Sequence, residues 1–583
     1  MPDALRIANC SGFFGDRLSA ATEMVRGGPI DVLTGDYLAE LTMTILERQR
    51  ARTGRGYVST FVKQMEMVLG ECLAQKIKIV SNAGGLDPHG LADELAQVAR
   101  RLGLSPRIAV VSGDDLTARI PQLLAEGQRF THLDKQIDLG AAQVHVLSAN
   151  AYLGGWGIAE ALARGADVVV TGRVTDAALV VGPAAWRFGW RRDDWDRLAG
   201  AVIAGHIIEC GPQACGGNYA FGDEVTDWHA LGFPIAELHD DGSFVITKHP
   251  GTGGIVNVGT VTAQLLYEIE GARYFNPDVI ARFDSVTLTQ EGPDRVRGTG
   301  ARGEPAPPTL KVALNHAGGF RNSMTIRLAG LDIDKKARIC ESLLVYACGD
   351  KSQFDDWQIR LRRSDREDPR HNDEAIAYLT LTVKSKEAAR VGKAFAARVV
   401  ELSLSSVAGH SITHPPEDAT PFSVYWPALI DAAKVEQRVT LEQDSWLVAH
   451  TPAPWQPLTL PPPELPSLPE NATLFSVPLG RAFGARSGDK GGNANLGVWA
   501  RSPLGYAWLE RELTVEKLKS LFQDLAPFPI DRSLLPNVLG VTFYIRGLLG
   551  EGVAASTRED PQAKTLGEYF RARVTWLPAA ILS

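Results

Sequence analysis

The sequence predicts an α/β protein: a mostly parallel, doubly wound sheet body with a second lobe, followed by a small C-terminal α+β domain. Three observations predict it. Short β-branched runs alternate with helix-like stretches over the first 200 or so residues. Most of these runs end in a turn rich in Gly, Asp or Asn. Finally, residues 451–470 carry eight prolines, a composition that favours an extended connector over packed structure.

In chain order, the strand-like runs are Leu5–Cys10, Ile30–Leu33, Ile77–Val80, Ile108–Val111, Val144–Leu147 and Val168–Val170, with helix-like stretches at Leu18–Arg26, Tyr37–Arg50, Leu91–Leu102 and Ile158–Arg164. Right-handed crossovers between such elements build a parallel sheet. A second lobe is expected over 236–450, opening with the strand Phe244–Thr247 and a helix over Thr260–Ile269, so that the first lobe covers 1–235. Beyond the 451–470 linker, residues 471–583 read as strands near Leu474–Pro478, Asn495–Ala500 and Val541–Ile545, with a helix near Thr514–Gln523.

At 583 residues and 45% hydrophobic content the chain can bury several cores, which excludes disorder as its main state. A formal charge of −8 gives no basic excess for nucleic acid or an anionic membrane. Six cysteines are too few for a disulfide framework in so long a chain. With no export signal at MPDALRIANC and no run of 18 uncharged apolar residues, a cytoplasmic address is expected, with neither membrane nor nucleic acid as partner.

In a parallel sheet the turns after the strands gather on one edge, where ligands bind. Gly12, Asp16 and Arg17 follow the first strand and suit an anion, although the third glycine of a dinucleotide fingerprint is missing. Asn82 and Asn150 lie in two further strand-end loops. Arg173 and Asp176 follow the Val168–Val170 strand: the arginine suits a carboxylate clamp and the aspartate a proton carrier, or the two form an architectural ion pair. Asp36 and Asp114-Asp115 also follow strands, as acid/base partners, divalent-cation ligands or turn caps. No metal-ligand spacing emerges, and no metal is assigned. His206 and Glu209 share a helical face suited to proton transfer, and Cys210 is a nucleophile candidate if local charge lowers its pKa, or an ordinary packed cysteine. Lys248, Gly253 and Gly254 offer charge and pliable backbone for a carboxylate or an acyl-CoA phosphate. Past the linker, Arg486, Asp489, Lys490 and Asn493 crowd one loop of ligand-binding or architectural character.

Taken together, GFFGDR at 12–17, LSANAYLG at 147–154, TGRVTD at 171–176, AGH…ECG at 204–211 and FVITK through Gly254 resemble the acyclic terpene utilisation protein family, over most of the chain up to about residue 450. The stretch after Pro469, above all 485–495, resembles the ferredoxin-like domain associated with that family; the Leu86-Asp87-Pro88 turn departs from the family's usual Asn before Pro. The resemblance implies catabolism of branched isoprenoid acids, with CoA as part of the substrate and no separate cofactor assigned. It transfers no catalytic residue set. A non-redox enzyme performing hydration, C–C lyase or hydrolase chemistry on an acyl-CoA or organic acid is expected, working as a homo-oligomer and beside a catabolic enzyme partner. The alternatives are a non-catalytic acyl-binding or complex-organising protein and a nucleotide-dependent enzyme.

Overall fold

The computed structural model describes residues 4–582 apart from 416, 452, 456, 462–465 and 469–472. The first strands are β1 (Leu5–Asn9), β2 (Val32–Gly35), β3 (Lys78–Ser81), β4 (Ile108–Ser112), β5 (Val146–Ala151), β6 (Val168–Thr171), β7 (Pro234–Leu238) and β8 (Phe244–Lys248). The main sheet has 11 strands, and its centre runs β1-β2-β3-β6-β4 with every neighbour parallel. These strands are apolar at their centres because both faces are covered. Ile7, Val32, Val80, Ala109, Val111 and Val169 belong to one core, under helices Trp156–Ala163, Ala178–Phe188 and Trp195–Ile208. Their neighbours Ala8, Leu33, Ile79, Val110, Val168 and Val170 point into the other, under helices Ala20–Arg26, Ser59–Gln75 and Pro88–Arg101.

The α/β class stands, but the main sheet is mixed and not mostly parallel, with parallel pairing confined to its centre. Antiparallel strands extend both edges: β7, β8, Arg295–Thr299 and Thr287–Gly292 beyond β1, and Gln437–Leu441 with Asp444–Val448 beyond β4. The run expected at Val144–Leu147 is β5, which lies outside this sheet and pairs with strand Thr309–Ala329. Unlike the central runs, β5 carries Ser148 and Asn150, which find partners in Asn315 and Asp114.

By its internal contacts the chain divides into two units. One compact unit holds the residues up to Asn315 and from Tyr425 onward; the other is His316–Val424. The expected boundary at 235/236 falls inside β7, whose pairing with β1 ties residues 234–248 to the first lobe. The His316–Val424 unit packs helices Ile333–Cys348 and Lys393–Glu401 on strands Asp356–Arg362 and Ile376–Ser385 around a core that includes Met324, Leu344, Leu379, Leu381, Phe395 and Val399. The described parts of 451–470 contain neither helix nor strand, and Trp455 of this stretch donates its indole N–H to Glu304 Oε2 at 2.9 Å.

The C-terminal region forms a four-stranded antiparallel sheet in the order Phe483–Lys490, Asn493–Ala500, Gly540–Ile545, Ile530–Leu535, with helices Pro503–Glu512, Val515–Leu521 and Leu566–Ala572. Its own core includes Phe483, Leu496, Val498, Leu509, Phe522, Phe543 and Phe570. No described helix is long and apolar enough to cross a membrane.

Candidate functional site

Because the five central strands are parallel, their carboxyl ends share one edge, and each delivers a polar residue there. Asp36 follows β2, Asn82 follows β3, Asp114 follows β4 and Arg173 follows β6. Asn82 Nδ2 donates to Asp36 Oδ1 at 2.7 Å, while its Oδ1 accepts the Tyr37 N–H at 2.9 Å. Asp114 Oδ2 accepts the Arg173 backbone N–H at 2.8 Å and Asn150 Nδ2 at 2.9 Å. Gly172 makes room for this, since a Cβ there would stand 2.2 Å from Asp114 Oδ1. Asn9, at the end of β1, donates to the carbonyls of Ile208 and Glu209 at 2.6 and 3.1 Å, satisfying the end of helix Trp195–Ile208 and fixing where Glu209 emerges.

The result is a buried knot of charge. The Arg173 guanidinium, 4% exposed, donates from Nη1 to Asp176 Oδ1 at 2.9 Å and to the Leu38 carbonyl at 3.0 Å, and lies 4.3 Å from the Tyr152 ring centroid. Oxygens of Asp36, Asp176 and Glu209 lie within 4.8 Å of one another. Burial, and then the nearby Asp176 carboxylate, hold the carboxyls of both Asp36 and Glu209 well above the usual range. His206 Nδ1 stands 3.2 Å from Glu209 Oε1, with the rings of Tyr274 and Phe283 about 5 Å away. Burial and the charge of Lys490 push its pKa down to about 4, so the imidazole is neutral at pH 7.

The C-terminal domain closes the same site. Lys490 sits 5.6 Å from the Tyr274 ring; burial opposes its charge, but Tyr274 and the carboxylates of Glu270 and Glu268 lift its pKa above the ordinary value. Lys564 bonds Glu268 Oε1 at 2.6 Å and pairs with Asp489 at 3.2 Å, while burial and the Glu268 charge push Asp489 up to about 7. Arg486 donates to Gln213 Oε1 and stacks 4.4 Å over the Tyr267 ring, whose hydroxyl meets Lys564. At the rim Lys311 faces Glu40 at 3.6 Å and lies near the rings of Tyr152 and Tyr425.

With this geometry in place, comparison with known families is informative. A model described as acyclic terpene utilisation family protein AtuA matches residues 5–441, and the AtuA ferredoxin-like domain matches residues 477–574. The chain belongs to the AtuA family. No curated protein and no solved structure matches it.

The residues this AtuA chain gathers are therefore Arg173, Asp176, His206, Glu209, Cys210 and Asn82 from the body, with Arg486, Asp489 and Lys490 from the ferredoxin-like domain. Cys210 does not suit the nucleophile role, because burial and the carboxylates of Glu209 and Glu268 hold its thiol well above its ordinary pKa. The remaining expected residues make contacts within the protein. Gly12 approaches the helix end so closely that a Cβ would stand 2.5 Å from the Cys210 carbonyl carbon. Asp16 accepts the Gly12 N–H at 2.9 Å, and Arg17 pairs with Glu23 at 2.6 Å. Asn150 holds Asp114, while Asn493 bonds Asp134 and the Tyr544 hydroxyl. Lys248 is held by Asp294 at 3.0 Å and by the Thr252 carbonyl; Gly253 and Gly254 press their backbones against Asp227 and Cys215.

Asn9, Glu268, Tyr274, Lys311 and Lys564 carry no local motif and are absent from the sequence-level set. The charge supplied by the ferredoxin-like domain was legible in part, in the crowding of Arg486, Asp489 and Lys490 in one loop. A cavity of about 550 Å³ lies elsewhere, lined by Asp284, Arg302, Leu458, Pro461, Pro536 and Asn537; none of the gathered residues lines it.

Proposed function

We propose that this AtuA-family chain is a non-redox enzyme that adds or removes water across a carbon–carbon double bond in a branched organic acid or its CoA thioester. The observation that carries the reading is the carboxyl pair formed where a strand-end turn meets the end of helix Trp195–Ile208. Glu209 is 9% exposed and binds its proton tightly, Asp176 beside it is 27% exposed and opens toward solvent, and their oxygens lie within 4.8 Å of one another. Two carboxyls in unlike settings suit a general acid and a general base. Lys490, with no carboxylate within ion-pair distance among the described residues, provides positive charge where a substrate carbonyl or carboxylate would develop negative charge. Arg173 is committed to Asp176 and Leu38, so it positions the base and sets the field around it. Hydrolysis through a covalent intermediate is less well served, since the Cys210 thiol stays protonated. The family's association with acyclic terpene utilisation supports a branched, unsaturated acyl chain as substrate.

The test is a mass-spectrometric screen of the purified full chain against branched unsaturated acyl-CoAs and their free acids. A gain or loss of one water is expected, with turnover falling about 10²-fold or more in Asp176→Asn and in Glu209→Gln, the size typical of a lost acid or base. Stable binding with no turnover of any substrate would overturn the enzyme reading in favour of an acyl-binding protein.

A further inference from the structure

We propose that Asp36, Asp176 and Glu209 together form a binding site for one hard divalent cation of the Mg²⁺, Mn²⁺ or Ca²⁺ type. The inference goes beyond the proposed reaction and does not depend on it.

The geometry fits a shared ion. At metal–oxygen distances of about 2.1–2.4 Å, two ligands of one cation stand about 3.0–3.4 Å apart when adjacent and about 4.2–4.8 Å apart when opposite. One oxygen from each of the three residues lies within 4.8 Å of the others, no farther apart than opposite ligands of one ion. Each comes from a fixed point of the scaffold. Asp36 is held by Asn82 at the end of β2, Asp176 by Arg173 after β6, and Glu209 by the helix end that Asn9 secures. An all-oxygen set of carboxylates selects hard cations over zinc or copper.

A second observation points to a missing ligand. The His206 side chain is 1% exposed, and its Nδ1 lies 3.2 Å from Glu209 Oε1 without hydrogen-bond alignment. Glu209 Oε2 has no hydrogen-bond partner among the described residues, and neither ring nitrogen of His206 makes a well-aligned hydrogen bond, although the Gln264 backbone and the Glu209 carboxyl lie beside the ring. Polar atoms so deeply buried are seldom left open in native interiors, and those that are commonly mark a bound ion or water. Charge argues the same way: among the described residues, Arg173 is the one lysine or arginine within ion-pair distance of the three carboxylates. A divalent cation here would offset the remaining negative charge.

The experiment is titration of Mn²⁺ into the chelator-treated, dialysed full chain, followed by electron paramagnetic resonance and calorimetry, with Mg²⁺ and Ca²⁺ as competitors. One Mn²⁺ per chain is expected. Binding should weaken at least tenfold in Asp36→Asn, Asp176→Asn and Glu209→Gln, and stay unchanged in Asp93→Asn, a carboxylate on the exposed face of helix Pro88–Arg101. Circular dichroism checks folding, so that if one ligand variant misfolds the remaining two decide. Absence of stoichiometric binding to the folded wild type, or equal binding in the folded ligand variants, overturns the site. Turnover is not the readout: Mn²⁺ bound without any turnover leaves the cation site standing and removes the hydration reading, and turnover by a folded chain that binds no Mn²⁺ does the reverse.

Discussion

Single residues set the site through hydrogen bonds that reach far along the chain. Asn9 is 1% exposed, and both of its side-chain donor contacts go to carbonyls about 200 positions away. Replacing it with alanine leaves the Ile208 and Glu209 carbonyls buried without their partner, which costs about 1–3 kcal/mol. The Asn9→Ala variant should therefore show a lower urea midpoint with an unchanged m-value, together with a greater proportional loss of turnover than of stability at a surface control such as Asp93→Asn. An unchanged midpoint would mean that the helix end does not need this donor. Arg173 teaches a related lesson. Its burial looks like a demand for a substrate anion, but Asp176, the Leu38 carbonyl and the Tyr152 ring already occupy it.

At the scale of elements, the strand-end turns work because helices and loops approach one another unusually closely. Gly12 lets the turn after β1 touch the 209–211 segment, and Gly205 lets helix Trp195–Ile208 pack on Ala177, where a Cβ would stand 2.8 Å from the Ala177 Cα. Neither has the positive φ that would demand glycine on conformational grounds. Gly12→Ala should thus act by forcing β1 and the helix end apart, costing about 1–3 kcal/mol as overpacking does. Hydrogen exchange localised to residues 205–211 is the measurement that checks it; destabilisation spread evenly over the sheet would count against a local cause. Some helices are legible: the sequence places one over Leu91–Leu102, and Pro88–Arg101 is found, begun by the Asp87 side-chain cap and Pro88. Helix Ser59–Gln75 went unassigned although Phe61, Met65, Val68, Leu69 and Cys72 repeat at helical spacing on its buried face. The antiparallel edges were not legible, because a hairpin such as β7–β8 reads the same whether it closes a lobe or extends a sheet.

At the scale of the whole molecule, burying carboxyls makes stability depend on pH in an unusual direction. Burial pushes Asp114 up from 3.8 to about 6 despite its bonds from Arg173 and Asn150, and pushes Asp278 to a similar value. A carboxyl whose pKa is raised on folding binds more protons in the folded state, so its contribution to stability is fully present below about 4 and is lost as pH rises to about 6. For Asp114 the full difference is on the order of 3 kcal/mol. Denaturant unfolding of wild type and Asp114→Asn between pH 4 and 7 tests this. The wild type should lose stability relative to the variant across that interval and run parallel to it above. A constant difference would show that Asp114 titrates alike in both states.

The amino-acid sequence by itself determined the α/β class, the central strands and their turns, the ferredoxin-like tail and the family, because these rest on local periodicity and on motifs contiguous in the chain. It also singled out Arg173, Asp176, His206, Glu209 and Lys490, since charged residues next to strand ends and helix ends stand out in one dimension. Only the tertiary structure decided that Asp36, Asp176 and Glu209 meet, that Lys490 and Lys564 come down onto the same site, and that Arg17 and Lys248 belong to other ion pairs. The physical reason is that electrostatic energy depends on distance and burial. Residues 36 and 209 are far apart in the chain, and the pairing of β2 beside β1, with the helix end held on Asn9, brings them within reach of one another.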